Sequence, residues 1–158
     1  PKTLPSMLIT DALLGEHGVF YLLLQDIEQA LPAIENLAIL QNRIAPLAFS
    51  LEAHASLEDE LLFTALEPHL GTQGGPLAVM RMEHDQIVTL LERIPSAPDL
   101  AQTRALAAQM IEVSRAHFRK EEQVLFRMAQ KFLDEETLSA LGAKWSARRG
   151  PLITLEMP

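Results

Sequence analysis

His54-Ala-Ser-Leu-Glu58-Asp-Glu-Leu-Leu-Phe63 and His117-Phe-Arg-Lys-Glu121-Glu-Gln-Val-Leu-Phe126 repeat one pattern. Histidine, glutamate, a second acid, Leu or Val, Leu and Phe recur at the same offsets. A histidine and a glutamate four residues apart stand nearly above one another on an α-helix, so each pair points a nitrogen and a carboxylate the same way. A second echo lies upstream of each copy. Glu16-His17 is followed by Leu22-Leu23-Leu24, and Glu83-His84 by Leu90-Leu91. The order is a helix with His, then a helix with His-x-x-x-Glu, written twice. Such repetition implies a duplicated helical hairpin whose halves pack about a pseudo-twofold axis.

Apolar spacing extends these helices in both directions. Leu13, Leu14, His17, Phe20, Tyr21 and Leu24 form one stripe of a helix from about Asp11 to Leu31, capped by Thr10 or Asp11 and bounded by Pro32. A second helix runs from about Ala33 to Glu67, with Pro46 marking a kink or break. Its stripe holds Leu47, Leu51, His54, Glu58, Leu61, Leu62 and Ala65. Pro68 through Gly75 reads as a loop, and Pro76 opens a third helix that reaches Ile94. A fourth, capped by Asp99, continues to about Phe132 with Leu106, Met110, Val113, His117, Glu121, Val124 and Met128 on one face. A fifth, shorter helix fits from about Asp134 to Arg148. Strand alternation is confined to the tail, Leu152 to Leu155. The expected fold is all-α: an up-down-up-down four-helix bundle with a short additional C-terminal helix. The whole chain, 1–158, reads as one domain, with the bundle over about 10–132, the added helix over about 134–148 and a tail over 149–158.

Composition narrows the chemistry. The 158 residues contain no cysteine, so disulfides, iron–sulfur clusters and thiol catalysis drop out together. A net charge of −8 argues against nucleic acid as a partner. No apolar run approaches a membrane span, and Pro1-Lys2-Thr3-Leu4-Pro5 lacks a signal-peptide pattern, so a cytoplasmic protein is expected.

Of the five histidines, His17, His54, His84 and His117 fall one to each long helix, each on the apolar stripe. Taken singly, an interior histidine needs only a backbone carbonyl. Taken with Glu58 and Glu121, six interior polar groups need partners at once. Buried carboxylates are costly without positive charge, and none of the stripes offers a Lys or Arg. Two divalent cations fit that requirement and leave room for a bridging oxide or hydroxide. Imidazole and carboxylate without thiolate suit iron, manganese or zinc.

Over about residues 10–130 this order resembles the hemerythrin-like HHE cation-binding domain family. The resemblance implies a four-helix bundle around a non-haem di-iron centre. It makes His17, His54, His84 and His117 terminal nitrogen ligands, and Glu58 and Glu121 bridging ligands beside an oxo or hydroxo group. Oxygen-carrying hemerythrins have a further histidine one turn from the third-helix ligand, where this chain has Met80 and Val88. The set is more similar to the di-iron repair type associated with nitrosative and oxidative stress. Reduced iron with open positions implies O2 or NO as ligand. Alternatives are an enzyme that reduces NO or decomposes peroxide with an external electron donor, and an iron-storage or iron-donor protein.

The remaining polar residues read more plainly. Tyr21, one turn after His17, is a candidate to hydrogen-bond a metal-bound oxygen species or donate a proton, its commoner role being a core ring with a surface hydroxyl. Glu16, Glu83 and Glu122 adjoin ligands, but adjacent residues turn about 100° apart on a helix, so surface solvation is expected of them. His69 is expected to face solvent from its loop. Lys144, Arg148 and Arg149 around Trp145 suit a helix C-terminus. The tail could cross a dimer or fold back over the bundle.

Overall fold

The computed structural model describes residues 7–150. The N-terminal Pro1–Pro5 stretch and the strand expected between Leu152 and Leu155 lie outside the described residues. Seven α-helical segments follow one another: α1 (Ile9–Ala30), α2 (Leu37–Glu58), α3 (Thr64–Leu70), α4 (Pro76–Arg93), α5 (Leu100–Lys120), α6 (Phe126–Phe132) and α7 (Glu135–Arg149). Two π-helical turns, Asp59–Phe63 and Glu121–Leu125, join α2 to α3 and α5 to α6 without a loop. No strand occurs among the described residues.

Local chemistry sets most of the ends. Asn36, Asp99 and Asp134 accept hydrogen bonds from the backbone N–H groups of Ile39, Gln102 and Thr137, capping α2, α5 and α7. The helix after Pro32 thus begins at Leu37 rather than near Ala33. Pro76 occupies the first turn of α4. Neither Thr10 nor Asp11 caps α1: the helix starts at Ile9, and Thr10 is buried inside its first turn. Pro46 does not break α2. It is exposed, so the Asn42 carbonyl that loses its N–H partner lies on the solvent side. Helix also continues through Pro68 to Leu70, which shortens the expected loop and places exposed His69 in α3, stacked on Phe132 at 5.4 Å.

The core divides into two apolar clusters. One gathers Phe20, Leu24, Ile27, Leu40, Ile44, Leu51, Ile87, Leu91, Met110 and Phe118. The other gathers Ile9, Leu13, Leu57, Phe63, Leu66, Leu77, Met80, Leu125, Phe126 and Leu138. Each fully buried Leu, Ile or Phe contributes about 1.5–3 kcal/mol. His17, His54, Glu58, His84, His117 and Glu121, all buried, belong to neither cluster. This is therefore an all-helical bundle with polar side chains inside its core.

The π turns explain where the helical stripes depart from expectation. A π turn inserts one residue into the α-helical phase. After Glu121 the buried face passes to Leu125, Phe126 and Ala129, while Val124 is 47% exposed and Met128 half-buried. After Glu58 it passes to Phe63 and Leu66, leaving Ala65 half-buried.

At the outer end, α7 packs against the start of α1. A Cβ built on Gly142 falls 1.6 Å from the Met7 carbonyl oxygen, so only glycine permits this approach. No helix among the described residues is long and apolar enough to cross a membrane.

Candidate metal centre

The six sequence-selected side chains meet. Four potential ligand atoms from His17, His54, Glu58 and Glu121 lie within 4.8 Å of one another, as do four from Glu58, His84, His117 and Glu121. The two groups share both glutamates, so they describe two adjacent positions with Glu58 and Glu121 common to each. Donors about 2.0–2.2 Å from one ion stand about 3 to 4.4 Å apart, close to this spread.

The contacts run both within helices and between them. His54 Nε2 is 2.9 Å from Glu58 Oε1, and His84 Nε2 is 3.2 Å from Glu58 Oε2. His17 Nε2 lies 3.7 Å from Glu58 and 3.2 Å from His54 Nε2. His117 Nε2 touches Glu121, and His84 Nε2 lies 3.9 Å from the same carboxylate. Despite this proximity, both oxygens of Glu58 and of Glu121, with His84 Nε2 and His117 Nε2, have no aligned hydrogen-bond partner. Buried polar atoms that converge without hydrogen-bonding fit a shared cation, and a buried set of this kind is otherwise costly.

The opposite edge of each ring is fully engaged. His17 Nδ1 lies 2.9 Å from Glu122, His54 Nδ1 2.9 Å from Glu16, His84 Nδ1 3.0 Å from Asp59, and His117 Nδ1 2.9 Å from Glu83. A carboxylate only accepts, so every Nδ1 donates its proton outward and every Nε2 faces inward, where loss of a proton leaves a lone pair for a cation. Such carboxylate–histidine pairs orient metal-binding imidazoles. The pattern respects the duplication: His17–Glu122 matches His84–Asp59, and His54–Glu16 matches His117–Glu83.

Glu16, Glu83 and Glu122 are thus not solvated surface residues, as their 100° offset suggested. The offset carries each away from the converging residue beside it and toward a converging histidine of a neighbouring helix. Asp59 plays the same part and was missed. Its signal was available, because an acid adjoins a converging residue at matching positions of both halves: Glu16 and Glu83, Asp59 and Glu122.

A further ring of donors holds these carboxylates. Tyr21 donates to Glu122 at 2.7 Å, so its hydroxyl points neither into the centre nor to solvent. Glu16 accepts from Trp145 Nε1 at 2.6 Å and from Arg149 at 2.6 and 3.0 Å. Glu83 pairs with Lys120. The basic cluster of α7 therefore does more than complement a helix terminus: Trp145 and Arg149 buttress the centre, and Arg148 pairs with Glu60.

Electrostatics across the cluster favour positive charge at its middle. Burial alone would lower His54 and His84, but the carboxylates around them prevail. Glu58 and Glu16 raise His54 to about 10, while Asp59, Glu121 and Glu58 raise His84 to about 12. His117 is also raised, against its burial, by Glu121. Burial pushes Glu58 up, yet His54, His17 and His84 hold its carboxyl well below the usual range. Glu16, likewise opposed by burial, is drawn down to about 2 by His54, Arg149 and Trp145. Tyr21 is raised by burial and by Glu122, so it stays protonated.

A small cavity of about 10 Å³ adjoins the centre, lined by His54, His84 and His117 and by apolar Leu51, Ile87 and Phe118. Comparison with curated proteins and with solved structures gave no significant match. The family model of the hemerythrin HHE cation-binding domain matches residues 8–129, which takes in all six converging residues and their four carboxylate partners. A match over that span, coinciding with a buried His/Glu cluster of two positions, places the chain in the hemerythrin HHE cation-binding family.

Proposed function

We propose that this chain is a non-haem di-iron protein that binds or senses a small diatomic ligand, O2 or NO, in oxidative or nitrosative stress. In this reading His17, His54, Glu58, His84, His117 and Glu121 are the metal ligands, on one up-down-up-down bundle domain spanning 1–158 in a cytoplasmic protein. The observation that carries it is the uniform polarity of four imidazoles, each with Nδ1 tied to a carboxylate and Nε2 turned inward. Hydrogen-bonded core histidines have no reason to share one such orientation around two orphaned glutamates.

Two irons with an oxo or hydroxo bridge would supply open coordination positions and a change of oxidation state. The protein's residues do the rest. Glu58 and Glu121 belong to both groups, so two imidazoles and two carboxylates would hold each ion. Iron is favoured by family and donor set, while manganese and zinc suit the same donors. The cavity of about 10 Å³ has room for roughly one water-sized molecule, which favours a diatomic over a larger substrate. Its apolar wall of Leu51, Ile87 and Phe118 limits water and suits O2 or NO. Tyr21 acts at one remove, fixing the carboxylate that fixes His17. Met80, buried one turn before His84 on α4, supplies no imidazole, which separates this set from the oxygen carriers.

Metal analysis and an optical spectrum of protein purified without added metal test the reading, followed by titration with NO and with O2. Two irons per chain and spectra that cycle between free and ligated forms would support it. Protein that purifies without metal and takes up none when iron is supplied would refute it. Sustained consumption of NO or peroxide with an external donor would instead make the chain an enzyme.

A further inference from the structure

We propose that the two metal positions are inequivalent: the ion at His84 and His117 exchanges through an acidic groove between α2 and α4, while the ion at His17 and His54 is retained. This deepens the di-iron reading and rests on it.

The pseudo-twofold symmetry of the centre ends at the carboxylates. On the His17/His54 side, Glu122 is held by Tyr21, and Glu16 by both Trp145 and Arg149. Trp145 and Arg149 belong to α7, which approaches the start of α1 closely at Gly142 against Met7. On the His84/His117 side, Glu83 is held by Lys120, whose side chain is 54% exposed. Asp59 is 37% exposed, and among the described residues no second side chain donates to its carboxylate. His84 is therefore oriented by the least restrained of the four acceptors.

That same corner opens outward. A groove of about 400 Å³ is walled by Glu52, Asp59, Glu60 and Asp85, and Ala55 and His84 line both it and the small inner cavity. Four carboxylates line the groove, one of them, Glu60, paired with Arg148. His84 is only 3% exposed, and its Nε2 has no hydrogen-bond partner. One ring thus carries a buried, unpartnered nitrogen toward the centre and, on its other edge, an acceptor that belongs to the groove wall. A cation gathered by the acidic walls meets Asp59 first and reaches Nε2 when the Asp59–His84 bond opens. Departure follows the same path in reverse. His17, by contrast, stacks on Phe118 at 4.2 Å behind the Tyr21–Glu122 pair.

Exchange kinetics test this directly. Protein loaded to capacity with Fe(II) under nitrogen is mixed with excess ferrous chelator, and the coloured chelate is followed in time. Two phases of equal amplitude are expected. The double variant Glu52→Gln/Asp85→Asn, which leaves every inward nitrogen and its acceptor in place, should slow Fe(II) uptake roughly threefold to tenfold through lost electrostatic focusing. Arg149→Gln should accelerate the slow phase alone. His84→Gln should lose the fast phase and keep the slow one. A single phase, uptake unchanged in the groove variant, or a fast phase accelerated by Arg149→Gln would each overturn the proposal. Failure of the underlying reading looks different: a chain that takes up no Fe(II) refutes the di-iron function, while one that releases two irons in one phase refutes only the inequivalence.

Discussion

Glu16 accepts the Nδ1–H of His54 across 2.9 Å, although the histidine beside it in the chain is His17. The carboxylate thus serves the inward histidine of a neighbouring helix and couples α1 to α2 through the cluster. Three more pairs repeat the arrangement, so each of the four helices that bring a histidine to the cluster contributes to orienting a side chain on another. Stability and metal affinity should consequently be linked at positions that touch no metal.

Glu16→Ala should weaken metal binding about tenfold to a hundredfold, the range for losing a carboxylate behind a metal-bound histidine. Competition titration against a chelator of known affinity measures this. An unchanged affinity with intact helicity would show that Glu16 does not orient His54.

Glu58→Ala should abolish both metal positions, whereas His17→Ala should spare one. The shared carboxylate lies within 4 Å of three imidazoles, while His17 belongs to one group only. Metal-to-protein ratios after dialysis decide it, and equal stoichiometry in the two variants would contradict a shared Glu58.

The metal-free protein should lose stability as pH rises from about 6.5 toward 10. His54 is raised from 6.5 to about 10 in the fold, so its contribution is complete below 6.5 and is lost as pH climbs through about 10. His84, raised to about 12, extends the loss further. At the acid end Glu16, lowered from 4.5 to about 2, contributes above 4.5 and loses that contribution as pH falls through about 2. Metal binding near neutrality should release protons, readable with an indicator dye in weak buffer. A melting temperature that rises from pH 7 to 10 without metal would refute this.

Chelation should lower the melting temperature by about 10 to 20 °C if the free ion stood near a hundred times the Kd of both positions, because binding to the folded state then contributes about 2.7 kcal/mol per ion. Thermal scans with and without chelator, with metal content verified, provide the check. Superimposed curves after complete removal would contradict it.

Gly142→Ala should destabilise the chain by about 1–3 kcal/mol, since the added methyl meets the Met7 carbonyl backbone rather than a side chain that can turn aside. Displacing α7 should also free Trp145 from Glu16, shifting its fluorescence. Wild-type stability together with an unshifted spectrum would show that α7 docks elsewhere.

The helices and the six inward residues were legible along the chain, because both follow from a local property. Residues three and four apart share a helix face whatever surrounds the helix, so His54 with Glu58, and His117 with Glu121, had to point together. Cap chemistry at Asp99 and Asp134 is equally local. Only the tertiary structure decided the rest. The direction 100° away from a ligand is empty on an isolated helix and occupied in a bundle, which turned Glu16, Asp59, Glu83 and Glu122 from apparent surface residues into acceptors. The π turns after Glu58 and Glu121 belong to the same class. Their insertion shifts which residues are buried from Val124 to Leu125, and no residue type marks it, because packing against neighbouring helices selects that hydrogen-bond pattern over the α-helical one.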